Sequence, residues 1–520
     1  MTRRSLFPAL AAGLLAPRRA TGAVPPCVAN FEYPDNFDRS MFQGAKKWQC
    51  PKRHPRPRKL WSKMRPDEKA TALRTIARAY KQIAPLPQSP DRHLLARTWM
   101  GQGWLHSYIC ANSDNDGLGD VHRTSAFLTW HRAFLYFHEQ LLQTIDPKFV
   151  LPVWDWENSN DVPHAYENWV RPPSPQGTNC LLQRPKVPVK IDQCFLQSWL
   201  LSADSEQFLG PQAPGTPGDA FGGPHQLIHT SVGPFMNVPY YAALDPLFYA
   251  HHANMDRFYC AWWKFYKTQG FDPSNLWQDV TWYFYDARTQ KPVWVNSKEF
   301  ANLYLEDIES LGYYYPQPAQ VTLYKFFSII SEAVATAVKL STAYVKTFLL
   351  ALQAAMAGKA LEAAAHDIFT EGEKLVKQSI PKSLKDLETD IAGLLDLFDQ
   401  TVEKLNAAFP VRAVIDLPVS VSPGKYYAVG LKTPDSNTVT ALGGFGVFTH
   451  MAGHGFLTPV SLCIRKEVFR SLIKYAEQGS ATVVYGDLSA DGQTIDNPTP
   501  VKSVSEFEIR YPQNLSILLA

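Results

Sequence analysis

Residues 122–139, HRTSAFLTWHRAFLYFHE, contain two histidines at a spacing that decides how this part of the chain folds. Helical periodicity begins at Ser125, so His131 is predicted to project from the second turn of a helix. His122 lies nine residues earlier, about two and a half turns, so a shared helix would point the two rings in opposite directions. We therefore expect His122 in the loop before the helix, with Thr124 or Ser125 as the cap.

A third histidine belongs to the same group. His106 lies on the preceding predicted helix, which extends from Asp91 to Ile109. Cys110 follows His106 by four residues and shares its face of the helix. The first candidate metal site is therefore His106, His122 and His131.

A second group of histidines begins in residues 224–229, PHQLIH. Pro224 is favoured at the first position of a helix. His225 and His229 are separated by about one turn, so both rings project from one face, a spacing typical of metal ligands. This pair needs a third ligand from elsewhere in the chain.

Residues 245–257, DPLFYAHHANMDR, supply that third imidazole. The Asp-Pro pair is typical of a helix start, and Phe248, His252 and Asp256 then follow on one stripe at steps of four. Adjacent helix positions diverge by about 100°, so His251 leaves this stripe. We assign His252 to the second site and expect Asp256 to accept a hydrogen bond from a ligand imidazole.

The composition of the two sites favours copper. Three neutral imidazoles with no carboxylate or thiolate suit copper, whereas iron pairs in helix bundles prefer Glu together with Glu-x-x-His. The His-Glu-x-x-His motif of zinc proteases is absent from the sequence. One cluster alone would be compatible with ordinary buried histidines, but two matched clusters favour two copper ions per chain.

The overall composition excludes several classes of protein. The chain has 520 residues, 45% of them hydrophobic and 19% charged, with a net charge of +3. This argues against disorder and coiled coils, and gives no field that attracts nucleic acid or anionic lipid. No apolar run reaches the ~20 residues of a membrane span. We expect a soluble multidomain protein; its seven cysteines suit an oxidising compartment.

Changes in pattern along the chain predict four parts. Residues 1–23, with paired arginines, a short apolar run and small residues, are typical of a twin-Arg export signal and predict a periplasmic or extracellular protein. Residues 24–318 read as a mainly α-helical catalytic domain, a four-helix bundle with long loops around both coppers. Residues 319–408 read as a helical insert, and residues 409–520 as a C-terminal β-sandwich-like domain.

Several motifs resemble the tyrosinase and polyphenol oxidase family, the dinuclear type-3 copper proteins. Residues 122–139 look like its first-copper signature, and residues 245–257 resemble its second-copper signature, in which the second histidine of the pair is the ligand. Residues 151–156, LPVWDW, and 312–315, GYYY, are similar to the plant-type branch. The resemblance covers about residues 60–318.

This resemblance implies copper-dependent oxidation of o-diphenols to o-quinones with O2 on a small phenolic substrate. A full tyrosinase that hydroxylates monophenols, and a hemocyanin-like oxygen carrier, remain as alternatives. Many hydroxylating members carry Asn where this chain has Gln226, together with a nearby Glu, so monophenol hydroxylation is expected to be weak. The oligomeric state is open.

Other site residues follow from the same resemblance. Cys110 is expected to form a thioether with His122; an ordinary disulfide is the alternative. Phe248 is expected to stack over the copper pair. Pro239 and Thr230 are expected to line or support the pocket, with Thr230 in a position where an Arg would support the site.

The C-terminal part is expected to shield the active site. Residues 445–448, FGVF, belong to an aromatic and Gly-rich stretch that could lie over the pocket, although the sequence does not select a side chain. The competing interpretation is an independent binding or assembly module that leaves the pocket open.

Overall fold

The fold comes from a computed structural model, in which helices prevail before residue 319 and strands after residue 410. The expected signal segment and the helical insert lie outside the described residues, apart from residues 319 and 400. The structure describes residues 42–81, 98–111, 121–158, 162–163, 166, 205–212, 218–233, 235–267, 272–319, 400, 411–417, 421, 425–434, 438–448, 456–462, 482–489 and 494–509.

Helices form most of the described residues before 319. No helix among them is long and apolar enough to cross a membrane. A π-helical turn, Phe221–His225, leads directly into the helix Gln226–Val232. The α-helices are α1 (Pro66–Lys81), α2 (Trp99–Ala111), α3 (Ala126–Gln143), α4 (Ser205–Leu209), α5 (Gln226–Val232), α6 (Pro239–Ala242), α7 (Pro246–Lys267) and α8 (Ser297–Glu306).

The starts of α3 and α7 follow the sequence signals. The backbone N–H of Leu247 donates to the carboxylate of Asp245 at 2.9 Å, so Asp245 caps α7 as expected. At α3, the N–H of Ala126 donates to the hydroxyl of Thr124 at 3.4 Å. Ser125 instead turns its hydroxyl to a backbone carbonyl of another segment, so Thr124 is the capping side chain.

Helix α3 runs through the centre of the core. Sixteen of its residues are buried, including charged and polar ones, so the helix is enclosed on all sides rather than amphipathic. Aromatic rings surround it: Trp130 stacks on Phe134 at 4.9 Å between ring centroids, and Phe137 stacks on Phe284 at 4.6 Å. His131 therefore projects from a helix that is fixed by dense packing.

Two short strands tie the beginning of the helical core to its end. Strand β2 (Arg56–Pro57) pairs in parallel with β5 (Tyr313–Tyr314). Just after β2, the buried guanidinium of Arg58 lies 3.4 Å from the ring centroid of Tyr313 and donates to Glu139 of α3 at 3.0 Å. The chain thus closes on itself before residue 319. Strands β1 (Lys46–Lys47), β3 (Thr281–Asp286) and β4 (Lys291–Asn296) form a separate small sheet.

The described residues after 410 form one seven-stranded sheet in the order β11-β10-β7-β8-β9-β6-β12. A sandwich-like domain would have two sheets. Here the four strands β11-β10-β7-β8 and the three strands β9-β6-β12 are joined into one sheet by a single residue pair, Gly443 with Leu462. The ladders are antiparallel. Their strands are β6 (Val411–Leu417), β7 (Tyr426–Lys432), β8 (Ala441–Gly446), β9 (Phe456–Leu462), β10 (Thr482–Leu488), β11 (Ile495–Pro500) and β12 (Ser503–Ile509).

Candidate metal centre

The first group of histidines comes together from three chain segments. His106 projects from α2, His122 from the loop before α3, and His131 from α3. Their ring centroids lie 5.1 to 5.7 Å apart, and one nitrogen from each ring lies within 4.8 Å of the others. All three are buried, so the structure assembles the first predicted triplet around one point.

The second group comes from α7 and from the chain at the start of α5. The ring centroids of His225 and His229 are 4.4 Å apart, and those of His225 and His252 are 5.1 Å apart. The Nε2 atoms of His229 and His252 face each other at 3.3 Å. The second predicted triplet is therefore also assembled.

A fourth imidazole joins this second group, which the sequence argument left out. His251 places a ring nitrogen within 4.8 Å of the ligand nitrogens of His225, His229 and His252. A divergence of about 100° on α7 was taken to separate the neighbouring rings. Their centroids are only 5.0 Å apart, and the ring of His229 lies 5.0 Å from His251 as well, so α5 approaches both.

The two groups adjoin each other. The rings of His131 and His252 stack with centroids 4.2 Å apart and planes 6° apart. Phe248 packs against both groups, with its centroid 4.9 Å from that of His106 and 4.2 Å from that of His252. The geometry is that of one centre with two neighbouring ligand sets.

Backbone carbonyls orient three of the rings. His131 donates its Nδ1–H to the carbonyl of Phe127 at 2.7 Å, and His229 donates its Nδ1–H to that of Met236 at 2.7 Å. A ring N–H of His106 donates to the carbonyl of Pro239, the expected pocket residue. Such bonds fix the tautomer and leave the opposite nitrogen with a free lone pair, as metal ligands require.

Burial keeps these imidazoles neutral. Desolvation penalises the charged ring, and neighbouring imidazoles add repulsion, so the pKa lies well below the ordinary histidine value. Neutral rings bind metal without first losing a proton. The pKa is lowered in this way in His106, His131, His225, His229 and His252.

The residues fit copper by their donor chemistry. The metal-binding groups found among the described residues contain imidazoles alone, with no carboxylate or thiolate. Several ring nitrogens in the two groups have no hydrogen-bond partner in the described structure: Nε2 of His131, both nitrogens of His225, Nε2 of His251 and Nδ1 of His252. Buried polar atoms are rarely left unsatisfied, so these nitrogens are well suited to bind an ion.

The expected role of Asp256 is wrong. Its carboxylate accepts from Arg132 at 2.6 Å and from the hydroxyls of Tyr313 and Tyr315 at 2.8 and 2.6 Å, not from an imidazole. Asp256 lies one turn beyond His252 on α7, at a level where the helix faces Arg132 of α3, so its carboxylate meets the guanidinium and not a ligand ring. The Asp256 carboxylate thus links α7 to α3 through Arg132.

The other expected pocket residues lie along α5. Gln226 is 3% exposed, and its amide oxygen has no partner among the described residues. The Thr230 hydroxyl donates to the Gln226 carbonyl at 2.9 Å. Cys110 belongs to α2, but its side chain lies outside what the structure describes, so the expected thioether with His122 stays a prediction. The described cysteines Cys50 and Cys260 carry free thiols.

The C-terminal sheet places one side chain on the second histidine group. Phe448 stacks on His229 with centroids 4.0 Å apart, and it meets His225 edge-on at 5.4 Å. Phe445 instead packs within the sheet, on Tyr427 at 5.6 Å. Strand β8 ends at Gly446, so the position of Phe448 depends on the chain after the strand, which no sequence periodicity describes.

The fit between the sheet and α5 is close. A Cβ added to Gly446 would lie 2.4 Å from the hydroxyl oxygen of Thr230 and 2.5 Å from the carbonyl oxygen of Gln226. Only a residue without a side chain allows the backbone to approach the helix this closely. The sheet therefore touches the helix that follows His225.

Comparisons with known proteins agree with this centre. Residues 96–191 and 174–264 match the family model for the common central domain of tyrosinase. These ranges include all the histidines of both groups.

Curated relatives are similar to part of the chain. The chloroplastic latent-form polyphenol oxidase of Prunus armeniaca is 28% identical over 263 residues, covering 41% of this chain and 42% of that protein. A tyrosinase of Hahella sp. (strain CCB-MM4) is 27% identical over 225 residues, covering 37% of this chain and 47% of that protein. The chain spans less than half the length of these relatives.

Solved structures resemble the chain more widely. Latent apple tyrosinase matches with a TM-score of 0.50 and 15% identity, covering 90% of this chain and 100% of that one. Latent aurone synthase from its natural source matches with a TM-score of 0.50 and 16% identity, covering 90% and 92%. These matches concern the fold, a helical core with a C-terminal sheet region. The part of the chain that contains both histidine groups is therefore similar to the common central domain of tyrosinase.

Proposed function

We propose that the protein is a two-copper oxidase that converts o-diphenols to o-quinones and reduces O2 to water. The observation that carries the proposal is the contact between two sets of buried, neutral imidazoles, joined by the stacked rings of His131 and His252 at 4.2 Å. The match of this region to the tyrosinase central domain supports it. For each O2 reduced to two water molecules, two diphenols lose two electrons and two protons each.

In this proposal His106, His122 and His131 hold one copper, and His225, His229 and His252 hold the other. When bound, the copper pair supplies the electron exchange between the phenol and O2 that protein side chains do not provide. The carbonyls bonded to His106, His131 and His229 hold the ligand rings in place. The aromatic walls, Phe248 among them, exclude water from the reacting atoms.

The same site favours diphenols over monophenols. A phenol has a pKa near 10 and needs a positioned base before it can react at neutral pH. Gln226, beside the ligand His225, carries an amide and is not a base. We therefore propose only weak monophenol hydroxylation.

We further propose that the full-length chain is latent and that residues after 410 form its lid. Phe448 occupies the face of His229 where an aromatic substrate would approach the second copper. Its side chain is 3% exposed, which is consistent with a closed pocket. An assembly module that leaves the pocket open is the competing explanation.

Two smaller proposals concern Cys110 and the N-terminal segment. A thioether between Cys110 and His122 would lower the mass of the linked peptide by two hydrogens, which mass spectrometry of a protease digest measures. The paired arginines at Arg3 and Arg4 support export through the twin-Arg route, which the mature N-terminus of the secreted protein would test.

The main test combines metal content with oxygen uptake. The full chain should bind about two coppers by elemental analysis, the number that two triplets of imidazoles imply. Limited proteolysis near residues 318–330 should then raise oxygen uptake on catechol. Reversible oxygen binding without catechol turnover would indicate a carrier instead. A copper-loaded core whose turnover is unchanged after cleavage would reject the lid but not the oxidase.

A further inference from the structure

The second histidine group contains one imidazole more than the proposed function uses. His251 is completely buried and lies within ligand distance of the other three rings. A site with four imidazoles would be closed, as structural metal sites are, whereas catalytic sites keep a position open. A further contact of His251 must therefore determine whether this ring binds the metal.

A hydrogen bond from Trp156 determines which nitrogen of His251 has a lone pair. The indole Nε1–H of Trp156 donates to Nδ1 of His251 at 3.1 Å. Trp156 is itself fully buried and stacks on Phe258, with ring centroids 5.3 Å apart and planes 22° apart. This stacking and the burial of the indole hold the donor in position.

The tautomer follows from this bond. A neutral imidazole has one N–H and one in-plane lone pair. Because Trp is only a donor, Nδ1 of His251 must offer its lone pair to Trp156, and Nε2 must carry the hydrogen. Neither nitrogen then has a lone pair for a metal, whichever of them faces the ion.

We propose that Trp156 is a positioning residue that keeps His251 out of the coordination of the second site, so that three imidazoles bind the copper and one position stays open. The inference rests on the proposed function, because it concerns the copper bound by His225, His229 and His252. It adds a means of selection between the adjacent His251 and His252 that helix geometry alone does not provide.

Pulsed electron paramagnetic resonance tests the ligand number directly. In the full-length His131→Ala variant, the second site holds a single copper(II), and its imidazole nitrogens can be counted. We expect three imidazoles in this parent and four after the added change Trp156→Phe, which removes the N–H but keeps an apolar ring. Adding His251→Ala to that double variant should restore three.

Zinc affinity gives an independent measurement on the same variants. Trp156→Phe should tighten zinc(II) binding at the second site by about 10- to 100-fold, the range in which residues behind the ligands alter metal affinity, and His251→Ala should reverse the gain. Trp154→Phe, which removes a neighbouring buried indole at 6.5 Å between ring centroids from His251, is the matched control and should change neither quantity.

Each outcome decides the inference. Three imidazoles and unchanged zinc affinity in the Trp156→Phe variant would overturn it, even if catechol oxidation and copper content are as proposed. Absence of copper from the unaltered chain would reject the proposed function instead. If Trp156→Phe does not fold, His251→Ala in the His131→Ala parent replaces it: a loss of one imidazole there would show that His251 is already a ligand.

Discussion

The two histidine groups differ in how their ligands are selected. The first takes one imidazole from each of three chain segments, and each of its three rings is needed to complete a triplet. The second holds four imidazoles, two of them adjacent on α7, and Phe448, which follows strand β8, stacks on one of its rings.

Two similar ligand sets can therefore be selected by different interactions. In the first group, the fold itself determines the ligands because it brings in three rings only. In the second group, packing brings in a surplus ring, so hydrogen bonding has to determine which nitrogen carries a lone pair. The ring of Phe448 also stacks on His229, where the proposed lid would restrict access to the second group.

Loss of a ligand should give the largest effect. His131→Ala and His252→Ala should each abolish catechol oxidation and lose about one copper per chain, because two imidazoles hold copper poorly. Elemental analysis and oxygen uptake measure this. The comparison breaks if the His252→Ala variant retains full copper, since His251 would then be able to replace its neighbour.

Loss of the Asp256 carboxylate should have the next largest effect. Asp256→Ala leaves the buried cation Arg132 unpaired and should lower the free energy of unfolding by about 3–5 kcal/mol. Urea unfolding of the full chain provides the measurement. Lys47→Ala, which breaks an exposed ion pair with Glu299, is the control and should cost no more than about 1 kcal/mol.

The ratio of diphenol to monophenol turnover tests the neighbourhood of the second group. Without a base beside His225, hydroxylation of tyrosine should be slower than oxidation of its catechol by about 100-fold or more, the contribution of a positioned base. Initial rates of oxygen uptake with the two substrates give the ratio. Similar rates would indicate that another group acts as the base; Asp219, a buried residue and the acidic residue nearest to His225 in the sequence, would be the first candidate.

Trimming the ring over the second group should have a moderate effect. Phe448→Ala should raise catechol oxidation by the full chain about tenfold, which corresponds to removing about 1.4 kcal/mol of competing ring contact. Phe448→Leu retains apolar bulk and should give a smaller increase. Unchanged activity in both variants, with copper still bound, would show that this ring does not restrict access.

The smallest effect is expected at the surplus ring. His251→Ala should keep about two coppers per chain, because the lone pair of His251 is already engaged by Trp156. Elemental analysis checks this result against the His252→Ala variant. A loss of one copper from the His251→Ala variant would remove the distinction between the neighbours.

Much of the centre could be predicted because helical spacing is a local property. The nine-residue interval between His122 and His131 requires a loop residue and a helix residue, and the structure has that arrangement. The interval of four between His225 and His229 likewise puts two rings on one face. Helix α7 begins after Asp245, as its capping signal indicates.

The remainder depends on contacts between distant segments. Asp256 binds Arg132 and two tyrosines because α7 crosses α3 there, which the stripe on α7 does not reveal. His251 joins the second group because α5 lies next to α7 on the side of His251, which brings the ring of His229 within 5.0 Å of the ring of His251. The seven-stranded sheet, expected as two sheets, is joined by the pairing of Gly443 with Leu462, a long-range contact with no local signal.

The pairing of β2 with β5 closes the helical core before residue 319, so the proposed lid would act as a ligand tethered to that core. A group joined to its target by a chain acts at an effective concentration of about millimolar. Once the chain is cut beyond residue 319, the same group acts only at the concentration of the dissolved protein. Dilution alone would then separate the lid from the core. A single cleavage would thus turn a weakly bound but permanently attached lid into one that covers the site only transiently, without any change in the core.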